Sequence, residues 1–137
     1  MAGMAQNEEE AARSEQPELS EAEAREQAAG LKAEGNALFV AKDFDGAARK
    51  YTDALKVIKA ATGAGDTVLY ANRAAAYMGD KRWIPACRDG ILSAEMDPAN
   101  WKAYWRQGVS LMKMVPKRFR TKNAIEAFEK CLTCESL

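Results

Sequence analysis

Apolar and small residues recur three and four positions apart from Ser20 to the end of the chain, and no run of alternating β-branched residues interrupts them. That spacing lays the residues along one face of a helix, whereas a half-buried strand needs a period of two. The expected fold class is therefore all-α. Five clusters of helix breakers divide the pattern: Asp43-Phe44-Asp45-Gly46, Thr62-Gly63-Ala64-Gly65-Asp66, Gly79-Asp80, Asp97-Pro98, and Pro116 to Thr121. Five breaks separate six helices. The first should open at Ser20, which stands three residues before Glu23 in the manner of a capping box. Upstream of it, residues 1–18 contain no aromatic or β-branched side chain. Such a segment buries too little apolar surface to offset its ordering entropy, so 1–19 is expected to be a disordered acidic tail and 20–137 the folded domain.

The helices repeat. Small residues that mark close helix crossings stand at Gly35, Ala74 and Gly108, at intervals of 39 and 34, and a second set stands at Ala47, Ala86 and Ala124, at intervals of 39 and 38. Both sets place five extra residues in the loop Thr62 to Asp66, and the second places four more around Pro116 to Thr121. This pattern resembles the tetratricopeptide repeat, whose 34-residue period reads W-x2-L-G-x2-Y, then A-x3-F, then P. Tyr70 and Tyr104 fill the first large slot, Tyr77 the eleventh, Tyr51 and Phe128 the A-x3-F slot, and Pro98 closes the second repeat. Glu34, Arg73 and Gln107 depart from the preferred Leu, Gly90 from the preferred Phe, and Lys59 from the preferred Pro. The resemblance implies three helix-turn-helix repeats, at about 28–61, 67–100 and 101–137, in a right-handed solenoid with a concave peptide groove lined by the first helix of each pair.

Composition narrows the chemistry. The 137 residues include no histidine, which removes the usual general base and the commonest metal ligand, so no enzyme activity, metal or cofactor is expected. Cys131-x-x-Cys134 lacks the remaining ligands of a zinc site, and Asp43-x-Asp45-Gly46 has its glycine at the wrong offset for a calcium loop. The formal charge is zero, yet residues 1–27 hold eight acids and two bases, net −6, leaving the other 110 residues at +6. A body of that charge suits an anionic partner but is too diffuse to point to nucleic acid. Lys113, Lys117, Arg118, Arg120 and Lys122 read as a solvated loop, and Trp83, Trp101 and Trp105 as packing residues. No stretch approaches the roughly 18 apolar residues of a membrane helix, and the odd cysteine count fits a reducing compartment, so a cytoplasmic or nuclear location is expected.

The first helices carry a second pattern. Lys32 and Asn36 lie one helical turn apart, as do Lys102 and Arg106, and Asn72 holds the same repeat slot as Arg106. Lys102 and Arg106 repel each other at this spacing and have no acid three or four residues away within their helix. Three cations and two amides make a site rich in donors and short of acceptors, which suits carboxylate or phosphate. The segments around Leu31-Lys32-Ala33-Glu34-Gly35-Asn36, Leu69-Tyr70-Ala71-Asn72 and Lys102-Ala103-Tyr104-Trp105-Arg106 resemble the carboxylate-clamp tetratricopeptide domains of co-chaperones. That family docks the C-terminal Glu-Glu-Val-Asp of heat-shock proteins 90 and 70, and all five clamp positions hold its residue types. The resemblance implies that Lys32, Asn36, Asn72 and Lys102 hold the terminal Asp while Arg106 binds upstream carbonyls or acidic side chains. Phe39 and Ala75, three residues beyond the two asparagines, are expected to flank the peptide. Gly79 offers no side chain where some relatives have a polar one. Three other readings remain: a scaffold for a different acidic C-terminus, the targeting module of a larger enzyme, and an RNA-binding role through the basic loop at Lys117 and Arg118. Ile125, Phe128 and Leu132 have no following helix to cover them, so a longer protein or a partner at that edge is expected.

Overall fold

The computed structural model describes residues 18–114, 125–127 and 129–130. Five helices run through them: α1 Glu21–Val40, α2 Phe44–Thr62, α3 Thr67–Gly79, α4 Trp83–Met96 and α5 Trp101–Met114. Residues 125–127 and 129–130 are helical too, and there is no strand among the described residues. Residues 1–17 of the tail expected at 1–19, the Pro116 to Thr121 loop with its cations, Phe128, Leu132 and the Cys131-x-x-Cys134 pair lie outside the described residues.

The helix ends fall where the breakers stand. Ser20 Oγ accepts from the Glu23 N–H at 3.2 Å and opens α1. Asp43 accepts from Gly46 N–H at 3.0 Å to open α2, and Asp66 accepts from Leu69 N–H at 3.0 Å to open α3. Each such cap satisfies an orphan amide and contributes about 1 kcal/mol. The capping role also accounts for Asp43 without calcium, and Asp45 pairs with Arg49 at 3.0 Å. Helix α2 stops at Gly63, whose φ of 76° is open to glycine at little steric cost and lets its N–H reach Lys59 O at 2.8 Å.

The repeat is visible in the turns themselves. At the end of α1, Ala41, Lys42 and Asp43 donate to Ala37, Phe39 and Leu38 carbonyls, and at the end of α3, Asp80, Lys81 and Arg82 donate to Ala76, Met78 and Tyr77 carbonyls. The two sets are 39 residues apart, the same interval as Gly35 to Ala74, and Lys42 and Lys81 take the left-handed conformation in each (φ 64° and 58°).

Consecutive helices pack on one another, and α3 also packs on α5, so each layer rests on its neighbours as in a solenoid. The core between α1, α2 and α3 holds Ala28, Ala47, Ala48, Ala54, Leu55, Ile58, Leu69 and Ala76 around Tyr51 and Tyr70. So many alanines bring helix axes close together. A Cβ added to Gly35 would stand 2.7 Å from the Tyr51 ring, and one added to Gly90 would meet Gln107 Cγ at 3.0 Å and Ala103 O at 3.2 Å. The glycine in the Phe slot of the second repeat therefore makes room for α5 to approach α4. Arg73, in a slot that prefers Leu, reaches the buried Asp89 through two hydrogen bonds of 2.7 and 2.8 Å and Thr52 Oγ1 at 3.1 Å. The Asp89 carboxylate, by hydrogen bonding, raises the Arg73 pKa above its ordinary value.

Candidate functional site

The first helices of the three repeats, α1, α3 and α5, bring Asn36, Asn72 and Arg106 to one groove. Its central recess, of about 300 Å³, is lined by Asn36, Phe39 and Val40 from α1, Tyr51 from α2, Asn72 and Ala75 from α3 and Arg106 from α5. Five of the seven residues singled out from the sequence thus share one recess. Lys32, one turn before Asn36, lines a second recess of about 160 Å³ with Arg25, Ala28, Asp66, Val68 and Leu69. Lys102 lines neither; it is exposed on α5, with Nζ 5.9 Å from the Trp101 ring centroid.

The groove is short of acceptors. Asn36 Oδ1 already accepts from the Tyr51 hydroxyl at 2.6 Å, which leaves the Asn36 Nδ2 hydrogens as what the amide has to offer. Among the described residues no carboxylate comes within ion-pair distance of Lys32, Lys102 or Arg106, whereas Arg25, Arg49, Lys50 and Arg73 each have one. Burial pushes the Arg106 pKa below its ordinary value, with no acid among the described residues to oppose it. A guanidinium nevertheless stays charged at any physiological pH, so Arg106 is a partly desolvated cation held ready for an anion.

Two features at this site were not legible in the sequence. One is Tyr51, which fills a core slot by pattern yet carries its hydroxyl to the groove. The signal for it was the Gly35-Asn36 pair, because the glycine admits the ring and the asparagine meets its hydroxyl. The other is the exposure of Trp101 and Trp105, at 37% and 50%, where packing was expected. Both follow from register: they lie one turn apart on one face of α5, while Ala103 and Ser110 are buried on the opposite face. Gly79 lies outside the groove's lining, and a Cβ there would stand 2.6 Å from the Phe44 ring, so packing requires the glycine. No cluster of three or more His, Cys, Asp or Glu able to coordinate a metal occurs among the described residues, and none of their helices is long and apolar enough to cross a membrane.

No family model matches the sequence. The chain is 32% identical over 115 residues to the small glutamine-rich tetratricopeptide repeat-containing protein 2 of Saccharomyces cerevisiae, an alignment covering 84% of this chain and 31% of that protein. It therefore spans about a third of the length of that curated relative. Its fold matches the Arabidopsis OM64 tetratricopeptide domain with a TM-score of 0.72 and 31% identity, over 82% of this chain and 86% of that one. It also matches the first tetratricopeptide domain of Spaghetti (RPAP3), solved with the HSP90 peptide SRMEEVD, with a TM-score of 0.69 and 28% identity over 82% of each chain. With the helix pairs, the recurring turn and the small crossing residues all in register, the chain belongs to the tetratricopeptide-repeat family.

Proposed function

We propose that this chain is the docking module of a co-chaperone, a binding rather than a catalytic unit, that grips the free acidic C-terminus of heat-shock protein 90 or heat-shock protein 70. The observation that carries this reading is the acceptor-poor recess where Asn36, Asn72 and Arg106 converge. A peptide ending in Asp brings two carboxylates to such a place. Lys32, Asn36, Asn72 and Lys102 are assigned to that terminal residue, Arg106 to upstream carbonyls or acidic side chains, and Phe39 and Ala75 to the peptide's apolar flank. The Spaghetti (RPAP3) domain, matched over 82% of this chain, binds a peptide of this kind. The assigned compartment is the cytosol, where such chaperones present their C-termini.

Charge-assisted hydrogen bonds of about 1.5 to 3 kcal/mol each, less the cost of ordering a short peptide, correspond to a Kd of micromolar order. The test is calorimetric titration with a peptide ending in Met-Glu-Glu-Val-Asp beside the same peptide amidated at its C-terminus. Binding of the acid and loss of binding by the amide support the clamp. Equal binding of both would remove it.

A further inference from the structure

Of the five assigned clamp residues, Asn36 is the one whose polar atoms are held by a hydrogen bond from within the described residues. The Tyr51 hydroxyl, 15 positions away on α2, lies 2.6 Å from Asn36 Oδ1. Tyr51 is 2% exposed, so its hydroxyl hydrogen has little access to water, and it has no other acceptor among the described residues. An amide oxygen carries no hydrogen, so the phenol donates and the amide accepts. That fixes which end of the amide is which: with Oδ1 turned to Tyr51, both Nδ2 hydrogens are free for the recess shared with Asn72 and Arg106.

The packing around Tyr51 serves this contact. The ring passes directly over Gly35, where any Cβ would stand 2.7 Å from Cε1. The slot itself asks only for a large aromatic: the third repeat has Phe128 there, and a phenyl ring would fill nearly the same volume as the phenol. The hydroxyl is thus surplus to the core and directed at one groove residue. We propose that Tyr51 is a positioning residue, whose hydroxyl locks the rotamer and amide orientation of Asn36 so that the groove presents its donors before any peptide arrives. This rests on the carboxylate-clamp reading above. A donor set in place beforehand binds more tightly because less side-chain freedom is lost on binding.

The test uses Tyr51→Phe in the full chain, a change that keeps the ring and removes one oxygen. The free-acid peptide should bind about three- to tenfold more weakly, while circular dichroism and the melting temperature stay close to wild type. In an Asn36→Ala background the same change should have no further effect, because the hydroxyl acts through Asn36. Without peptide, the Asn36 side-chain NH2 pair in a ¹H–¹⁵N spectrum should shift in Tyr51→Phe. Losses from Tyr51→Phe and Asn36→Ala that multiply, or an NH2 pair that does not move, would overturn the inference. So would wild-type affinity in Tyr51→Phe beside a weakened Lys102→Ala, and that outcome would leave the docking function standing. A wild-type chain that ignores the peptide altogether would remove the docking function and this inference with it.

Discussion

Arg73 and Asp89 meet fork to fork across the α3/α4 interface, Nε to Oδ2 at 2.7 Å and Nη2 to Oδ1 at 2.8 Å. The carboxylate side chain is 2% exposed and the guanidinium 18%. Tyr70 and Tyr77 lie 5.6 and 5.8 Å from the guanidinium carbon, so the charge sits between two rings. A buried pair of this kind adds little over apolar residues of the same volume, but removing one partner leaves an uncompensated charge inside. Asp89→Ala is therefore expected to cost about 3 to 5 kcal/mol in urea unfolding, and Asp89→Leu combined with Arg73→Leu to recover most of it. An Asp89→Ala variant within 1 kcal/mol of wild type would show that the pair bears no structural weight.

Two glycines on α1 should answer the same substitution with opposite signs. Gly30 has nothing within 4 Å of an added Cβ, whereas at Gly35 the Tyr51 ring stands 2.7 Å away. In the first case alanine only restricts the unfolded chain and favours the helix, so Gly30→Ala should stabilise by about 0.5 to 1 kcal/mol. In the second, α1 and α2 must part, so Gly35→Ala should destabilise by about 1 to 3 kcal/mol. Thermal melts of the two variants side by side decide it. A Gly35→Ala protein as stable as Gly30→Ala would contradict the close crossing.

These cases show what the sequence alone makes legible. Helix limits were readable because their signals are local: Ser20, Asp43 and Asp66 cap the helices they precede. The repeat was readable because Gly35, Ala74 and Gly108 each report a crossing through size alone. Arg73 looked like a fault in the pattern because its partner is 16 residues away on the next helix, and only packing brings Asp89 beneath it. Gly90, too, stood out as a missing Phe until α5 was seen to occupy the space. At the groove, spacing identified which side chains share a face, but not that Tyr51 would spend its proton on Asn36.

The exposed tryptophans supply an optical reporter. Trp101 and Trp105 flank Lys102 on α5, and Lys102 Nζ rests 5.9 Å from the Trp101 ring. A peptide carboxylate that draws Lys102 toward the groove must change that cation–π contact and the dielectric around both indoles. Intrinsic fluorescence should therefore change saturably on adding the free-acid peptide and stay flat with the amidated one. Trp101→Phe should reduce the amplitude without altering the midpoint by more than about twofold, since a cation–π contact at an exposed site is worth about 0.5 to 1 kcal/mol. A flat signal for a peptide that calorimetry shows to bind would place Lys102 outside the clamp.

The cations themselves should respond to substitution, salt and pH in ways that separate a clamp from ordinary surface charge. Lys102→Ala or Arg106→Ala removes a charge-assisted hydrogen bond worth about 1.5 to 3 kcal/mol, so each should weaken the peptide about tenfold or more. Arg106 stands in the shared recess and is partly desolvated, whereas Lys102 is exposed. Raising salt screens an exposed pair more than a buried one, so Lys102→Ala should also flatten the salt dependence more than Arg106→Ala does. With no histidine in the chain, affinity should hold steady from about pH 6 to pH 8 and fall only as the peptide's carboxylates protonate, near pH 4. Calorimetry of the two variants across that salt and pH range makes the distinction. If both bind like wild type at every salt, the anion is held by other groups and the five-residue clamp is withdrawn.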